Sequence, residues 1–113
     1  MRYLSALKYI DAVVGNSSSG LIEAPSFKIG TINIGDRQKG RIKADCVIDC
    51  KPDKEQIKSA ISQLYSAEFQ MALDNVINPY GEGGASKSIA SVLRNCTLTN
   101  LLKKRFIDLP ITQ

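Results

Sequence analysis

The chain has 113 residues, of which 43% are hydrophobic and 23% are charged, and its net charge is +4. These values are ordinary for a globular chain, and the length suits one domain. Because there is no histidine, the chain itself cannot supply a Ser-His-Asp triad, a histidine base or a histidine metal ligand. Aromatic residues are only 6%, and no dense Lys/Arg stripe is present, so we expect no nucleic-acid partner.

We also expect no membrane partner and no metal. The longest apolar run is far shorter than the roughly 20 residues that a membrane span needs, and the N-terminus lacks a signal-peptide core. The three cysteines are odd in number and have no histidine to complete a zinc site. They are therefore expected to be reduced structural thiols in a cytoplasmic protein, with Cys46 and Cys50 on one face of a strand.

Short strands alternate with helices along the chain. The predicted elements are a helix over 2–10, strands over 12–14, 31–34 and 46–50, a short helix over 21–27, a helix starting after Asp53, and helices over 66–74, 85–95 and 98–106. Asp53 and Gln56 form a capping-box pattern. The alternation predicts an α/β fold, a Rossmann-like three-layer sandwich with a short parallel sheet. Three strands make a thin sheet, so the sequence resembles a domain without its first half.

A strand, a hydroxyl-rich turn and the start of a helix follow one another over residues 13–25. Ligands of open α/β sheets lie at the carboxyl ends of strands, and a helix N-terminus favours phosphate. Glu23 would repel phosphate but could accept hydrogen bonds from ribose hydroxyls. Taken alone, the pattern fits a nucleotide site and an ordinary serine-capped helix equally well. The candidate phosphate-binding residues are Ser17, Ser18, Ser19 and Gly20.

A basic segment follows the next strand. Arg37, Lys39, Arg41 and Lys43 alternate in sequence, so an extended backbone would place all four on one face, as a cationic wall for a diphosphate. For the last three, a solvated loop is the preferred interpretation. Arg37 is different because it directly follows the strand end, where a ligand would lie.

Four segments of the sequence closely resemble the hydrolysing UDP-N-acetylglucosamine 2-epimerases. They are Gly-Asn-Ser-Ser-Ser-Gly-Leu-Ile-Glu-Ala-Pro-Ser-Phe at 15–27, Asn-Ile-Gly-Asp-Arg-Gln-Lys-Gly-Arg at 33–41, Val-Ile-Asp-Cys at 47–50 and Asn-Pro-Tyr-Gly at 78–81. The resemblance covers roughly residues 2–95. The Gly-Asp-Arg-Gln-x-Gly-Arg segment is similar to the hydrolysing rather than the non-hydrolysing enzymes.

The resemblance implies the later part of the second domain of a GT-B-like enzyme. Residues 1–96 would be a partial nucleotide-sugar-binding domain, and residues 97–113 a C-terminal tail or helix. By similarity, Ser17 and Ser18 would hold the diphosphate, Glu23 the ribose, and Arg37 the phosphate side of the ligand. Tyr3 would stack on uracil, although a place on the core face of the first helix is an equally open alternative.

The activity that the resemblance implies is elimination of UDP from UDP-N-acetylglucosamine, followed by addition of water to give N-acetylmannosamine, for sialic-acid-like pathways. The family's catalytic carboxylates and histidine are expected upstream, so we assign no catalytic residue and no cofactor. Expected partners are a UDP-sugar substrate and the N-terminal domain of the same enzyme, with a homo-oligomer left open. The alternatives are a related epimerase or glycosyltransferase that uses another nucleotide such as GDP, and a non-catalytic α/β domain that binds an anion or a protein.

Overall fold

The computed structural model describes residues 2–97, which fall into two compact units that meet in sequence between Glu82 and Gly83. The helix expected over 98–106 lies outside the described residues, and the division after residue 96 stays a prediction. The first unit contains α1 (Arg2–Ala6), β1 (Ala12–Gly15), α2 (Ser19–Ile22), a 3₁₀ turn (Ala24–Phe27), β2 (Gly30–Ile34), β3 (Val47–Cys50), α3 (Lys54–Leu64) and α4 (Ala67–Leu73). The second unit contains α5 (Ala85–Asn95).

The three strands form one parallel sheet in the order β1-β2-β3. In this register Val14 lies opposite Ile32, which in turn lies opposite Ile48. The carboxyl ends of all three strands therefore reach the same edge of the sheet, which is the edge that carries ligands in folds of this kind.

Helices cover both faces of the sheet. On one face α2 packs against β2, where the Thr31 hydroxyl donates a hydrogen bond of 2.8 Å to the Gly20 carbonyl. On the other face Ile32 and Ile48 pack with Ala60 and Leu64 of α3. Side chains of a strand alternate between faces, so this arrangement follows directly from the sequence of β2. The expected Rossmann-like three-layer α/β sandwich is confirmed.

A second small core lies under α4, where Cys46 packs with Ala44 and Leu73. Burial raises the pKa of the Cys46 thiol to about 11. Cys50 packs on the core of α3, and Phe69 borders both clusters. β3 begins at Val47, so Cys46 lies just before the strand and the placement of both thiols on one strand face stays a prediction. All three cysteines are free.

The first two helices are shorter than the periodicity predicts. α1 ends at Ala6 rather than at residue 10. The next turn has 3₁₀-type hydrogen bonds, from Lys8 N–H to the Ser5 carbonyl and from Tyr9 N–H to the Ala6 carbonyl. α2 ends at Ile22, and Pro25 lies in the first turn of the following 3₁₀ segment. Proline has no N–H for an α-helical bond, which explains the change of helix type.

Asp53 caps α3 as predicted, because its carboxylate accepts a hydrogen bond of 3.2 Å from the Gln56 backbone N–H. The reciprocal bond of the expected capping box is absent. Gln56 Oε1 instead accepts from the Lys51 backbone N–H at 3.1 Å, because the Asp53 N–H is already bonded to the Lys51 carbonyl at 2.7 Å. None of the helices formed by residues 2–97 has the length and apolar composition needed to cross a bilayer.

Candidate functional site

The serine-rich turn connects β1 to α2 at the carboxyl edge of the sheet. Ser18 is the N-cap residue of α2, but its side chain makes no capping hydrogen bond. Ser17 Oγ accepts a bond of 3.3 Å from the Ser19 backbone N–H, which holds the turn closed. The Ser18 hydroxyl is therefore not committed to capping, and this leaves it available for a ligand.

Tyr3 lies beside this turn. Its hydroxyl makes a short hydrogen bond to Ser19 Oγ, which joins α1 to the first residue of α2. The Tyr3 side chain is 51% exposed, and α1 contributes no buried residue. The core alternative for Tyr3 is therefore wrong, and an exposed ring next to the serine turn is compatible with stacking on a base.

Gly20 has a clear packing role. It is buried, and a Cβ atom at this position would lie 2.5 Å from Thr31 Cγ2. A side chain here would push α2 away from β2 and with it the serine turn that α2 carries. Any direct contact of the Gly20 backbone with phosphate stays a prediction.

Glu23 lies at the junction of α2 and the 3₁₀ turn, not inside a continuous helix as expected. Its Oε2 atom is buried and has no hydrogen-bond partner among the described residues. Asn78 reaches the same junction from 56 positions further on, donating to the Ile22 carbonyl at 2.8 Å and to Ser26 Oγ at 2.6 Å. Sequence spacing does not predict this contact, because only the folded chain brings Asn78 to the neighbours of Glu23.

Arg37 lies at the carboxyl end of β2, in the turn that follows Gly35. Gly35 has φ of 82°, a left-handed conformation that glycine adopts readily. An open cavity of about 400 Å³ lies here, and Arg37 lines it together with Gly15 and Asn16 from the end of β1. Within residues 2–97 the Arg37 guanidinium has no hydrogen-bond or ion-pair partner. The structure thus brings Arg37 to Gly15 and Asn16, which precede the serines. The other predicted site residues do not line this cavity: Tyr3, Ser17, Ser18, Ser19, Gly20 and Glu23.

The alternative of an extended cationic wall is wrong, and the preferred interpretation of a solvated loop is confirmed for the exposed Lys39 and Arg41. The backbone turns instead, with hydrogen bonds from Lys39 N–H to the Asp36 carbonyl at 2.8 Å and from Arg41 N–H to the Gln38 carbonyl at 3.2 Å. Gly40, at φ of 80°, permits this reversal. Of the four basic residues, only Arg37 lines the cavity.

Lys43 is instead part of a polar network on the sheet. It pairs with the Asp49 carboxylate at 2.7 Å, and buried Asn33 donates to the same carboxylate at 2.7 Å. Partial burial pushes the pKa of Asp49 upward, but the hydrogen bonds from Lys43 and Asn33 outweigh it and hold that pKa below its usual value. Asp49 also lines a second open cavity, of about 600 Å³, at the ends of β2 and β3. Gly35, Asp36 and Pro52 border both cavities, so they form one continuous concave edge.

Comparison with known proteins identifies the family of this chain. Residues 1–94 match the family model described as UDP-N-acetylglucosamine 2-epimerase. The chain belongs to this family. It is 45% identical over 109 residues to the GDP/UDP-N,N'-diacetylbacillosamine 2-epimerase (hydrolyzing) of Campylobacter jejuni, and 39% identical over 109 residues to the polysialic acid biosynthesis protein P7 of Escherichia coli. The UDP-N-acetylglucosamine 2-epimerase of Neisseria meningitidis is 33% identical over 109 residues.

These matches cover 95–96% of the chain but only 28% of each relative. The chain therefore spans little more than a quarter of the length of these relatives. The recognition of the family from four short segments is confirmed, and so is the interpretation of the fold as a Rossmann-like part of a GT-B enzyme.

Proposed function

We propose that this chain forms the UDP-binding, C-terminal part of a hydrolysing UDP-N-acetylglucosamine 2-epimerase. The observation that carries the proposal is the cavity shared by Arg37, Gly15 and Asn16 at the carboxyl edge of the parallel sheet. A guanidinium without a protein partner, next to a turn with an uncommitted serine hydroxyl, suits a diphosphate. Family membership makes a nucleotide-sugar the natural source of that diphosphate.

The residues present account for one half of the proposed reaction. Elimination across the C1–C2 bond releases UDP, and a positioned cation stabilises the negative charge that gathers on the departing diphosphate. Arg37 would supply this stabilisation, while Ser17 and Ser18 would hold the phosphate oxygens. Removal of the C2 proton needs a base, and we assign that role to the part of the larger enzyme outside this chain.

Glu23 is proposed to accept hydrogen bonds from the ribose hydroxyls. Its buried Oε2 atom has no partner among the described residues, and an unsatisfied buried carboxylate oxygen is unfavourable unless a donor reaches it. Tyr3, exposed and tied to Ser19, would stack on the base.

A bacillosamine derivative linked to GDP or UDP is a second candidate substrate. The Campylobacter jejuni relative, at 45% identity, is named for N,N'-diacetylbacillosamine and for both GDP and UDP. The proposed phosphate contacts would serve either nucleotide equally. A comparison of the two bases is therefore built into the experiment.

The test is a titration of the ¹⁵N-labelled 113-residue chain with UDP and, separately, with GDP, followed by backbone amide shifts. The proposal predicts shifts clustered at residues 15–23 and near Arg37, with tighter binding of UDP. Stronger binding of GDP would support the second candidate. Saturating UDP that leaves these amides unshifted would contradict the assignment of the site.

Single substitutions separate the proposed roles. Arg37→Ala removes a charge-assisted bond, so UDP affinity should fall by about 1.5–3 kcal/mol, roughly 10- to 150-fold. Lys39→Ala is the matched control, because Lys39 carries the same charge two positions on but does not line the cavity. Glu23→Gln should weaken UDP binding and spare inorganic pyrophosphate. Equal losses for both ligands would exclude the ribose role.

A further inference from the structure

Gln38 is a buried polar residue directly after Arg37. Only 3% of it is exposed, although it lies in the polar turn between β2 and β3. Its Nε2 atom donates a hydrogen bond of 2.7 Å to the Asn16 carbonyl. That bond crosses from the turn after β2 to the turn after β1, the two segments that line the 400 Å³ cavity.

In the described part of the chain, this bond from Gln38 to the Asn16 carbonyl links the turn after β2 to the turn after β1. The paired register of β1 and β2 ends with Gly15 opposite Asn33, and no backbone hydrogen bond joins residues 16–18 to residues 36–40. Beyond the sheet, the Gln38 side chain therefore joins the turn that carries Arg37 to the turn that begins at Asn16.

Packing alone does not explain an amide at this position. The Gln38 Oε1 atom is buried without a partner among the described residues, so an apolar side chain of the same size would avoid an unsatisfied polar atom. The amide offsets this unsatisfied oxygen with the hydrogen bond from its Nε2 atom to the Asn16 carbonyl. This points to a role for Gln38 in holding the two turns together.

We propose that Gln38 is a positioning residue for diphosphate recognition, acting through Arg37. By bonding to the Asn16 carbonyl, it fixes the distance between the Arg37 guanidinium and the serine hydroxyls, so that both can contact one diphosphate. Preorganised contacts bind more tightly because the cost of ordering the loops is met on folding. This inference rests on the proposed function and adds to it the residue that sets the site's geometry.

Gln38→Met is the test variant, because methionine has a similar size and removes only the amide. Gln70→Met is its matched control. Gln70 Nε2 also donates to a backbone carbonyl, that of Leu64 at 2.6 Å, but the bond lies between α3 and α4, away from the cavity. Both variants lose one amide-to-carbonyl bond, and only the first loses it at the site.

Affinities for UDP, inorganic pyrophosphate and uridine are measured for the full chain by titration calorimetry. Gln38→Met should weaken binding of UDP and of pyrophosphate about tenfold, which corresponds to the loss of roughly one hydrogen bond. It should leave uridine binding unchanged. In an Arg37→Ala background the same substitution should change UDP affinity less than about twofold, because residues that act as one unit are not additive. Gln70→Met should leave all three affinities unchanged.

Additive losses for Gln38→Met and Arg37→Ala would overturn the inference, as would equal losses for uridine and pyrophosphate. Amide hydrogen exchange of the chain without ligand tests the inference independently of the proposed function. Gln38→Met should speed amide hydrogen exchange in residues 16–18 and 36–40, whereas Gln70→Met should not. Unchanged exchange would show that Gln38 does not couple the turns. A wild-type chain that binds neither UDP nor pyrophosphate would instead refute the nucleotide site, with the exchange result still deciding the coupling.

Discussion

At Gly20 the contact between α2 and the sheet is closer than a side chain allows. Alanine favours a helix over glycine by about 1 kcal/mol, so Gly20→Ala would be stabilising if the space were open. A Cβ atom here would however lie 2.5 Å from Thr31 Cγ2, which is held on a buried strand residue. Such overpacking costs about 1–3 kcal/mol. We expect Gly20→Ala to lower the free energy of unfolding, measured by urea denaturation.

Thr31→Ser provides the control for this prediction. Serine keeps the hydroxyl that donates to the Gly20 carbonyl but removes the methyl group that a Cβ atom would strike. In the Thr31→Ser background Gly20→Ala should therefore be close to neutral. A cost that is the same in both backgrounds would mean that the contact with Thr31 is not what requires glycine.

The Asp49 carboxylate gives stability a defined dependence on pH. The bonds from Lys43 and Asn33 outweigh burial and lower its pKa in the folded state. A depressed pKa contributes stability that is complete above the unfolded value, about 3.9, and is lost as the pH falls through the folded value. Asp49→Asn should thus lower Tm at pH 7, and the difference from wild type should shrink towards pH 3.

The matched control is Asp45→Asn, four positions earlier in an exposed turn. Asp45 makes none of the described hydrogen bonds or ion pairs, so its replacement should change Tm little at either pH. A difference between wild type and Asp49→Asn that grows on acidification would contradict the sign of the pKa shift.

At the scale of elements, the prediction succeeded where one local signal decides the structure. Residues 31–34 are rich in β-branched side chains between two glycines, and β2 occupies Gly30–Ile34. Pro25 correctly predicts that α2 is short, because α2 ends at Ile22. The end of α1 could not be predicted, because the apolar spacing does not encode the change to i→i−3 bonds at Lys8 and Tyr9.

The basic segment shows the opposite case. Alternation of charge indicates one face only if the backbone is extended, and Gly40 at a positive φ makes the chain turn. The same turn buries Gln38, which belongs to the Gly-Asp-Arg-Gln-x-Gly-Arg segment but whose contact with Asn16 the sequence does not predict. Arg37 was found because it directly follows a strand, whereas Gln38 and Asn78 act through contacts with residues 22 and 56 positions away.

The cap of α3 is the element-scale feature with the clearest energetic consequence. Asp53 accepts the Gln56 N–H, one of the four donors that a helix N-terminus leaves unpaired. Asp53→Ala should lower the free energy of unfolding by about 1 kcal/mol, measured by urea denaturation. Asp53→Asn is the control, because asparagine caps helices about as well. Equal destabilisation by both variants would show that charge, and not the capping bond, matters here.

At the scale of the whole molecule, the chain corresponds to 28% of the length of its relatives. If the proposed diphosphate contacts are correct, we expect this part to bind UDP without completing the reaction. β1 is an edge strand of the described sheet, and its Val14 side chain is 55% exposed.

The prediction for the whole molecule can be tested with a chimera. Replacing the matching 109 residues of the Campylobacter jejuni enzyme with this chain should give an active hydrolysing 2-epimerase, whereas the chain alone should release no UDP from UDP-N-acetylglucosamine or from the bacillosamine substrate. We assign removal of the C2 proton to residues outside this chain. UDP release and the epimerised sugar are measured together, so that hydrolysis without epimerisation is recognised.

Arg37→Ala in the chimera separates binding from chemistry. If Arg37 stabilises the departing diphosphate more than the bound substrate, kcat should fall by about 10²–10³, as when one transition-state donor is removed, with a smaller change in KM. Gln70→Met in the same chimera should leave both constants unchanged. A chimera that folds and binds UDP but is inactive, even with Arg37 present, would mean that the chain retains the nucleotide site without the geometry that catalysis needs. An increase in KM alone for Arg37→Ala would assign Arg37 to substrate binding and remove it from the chemical step.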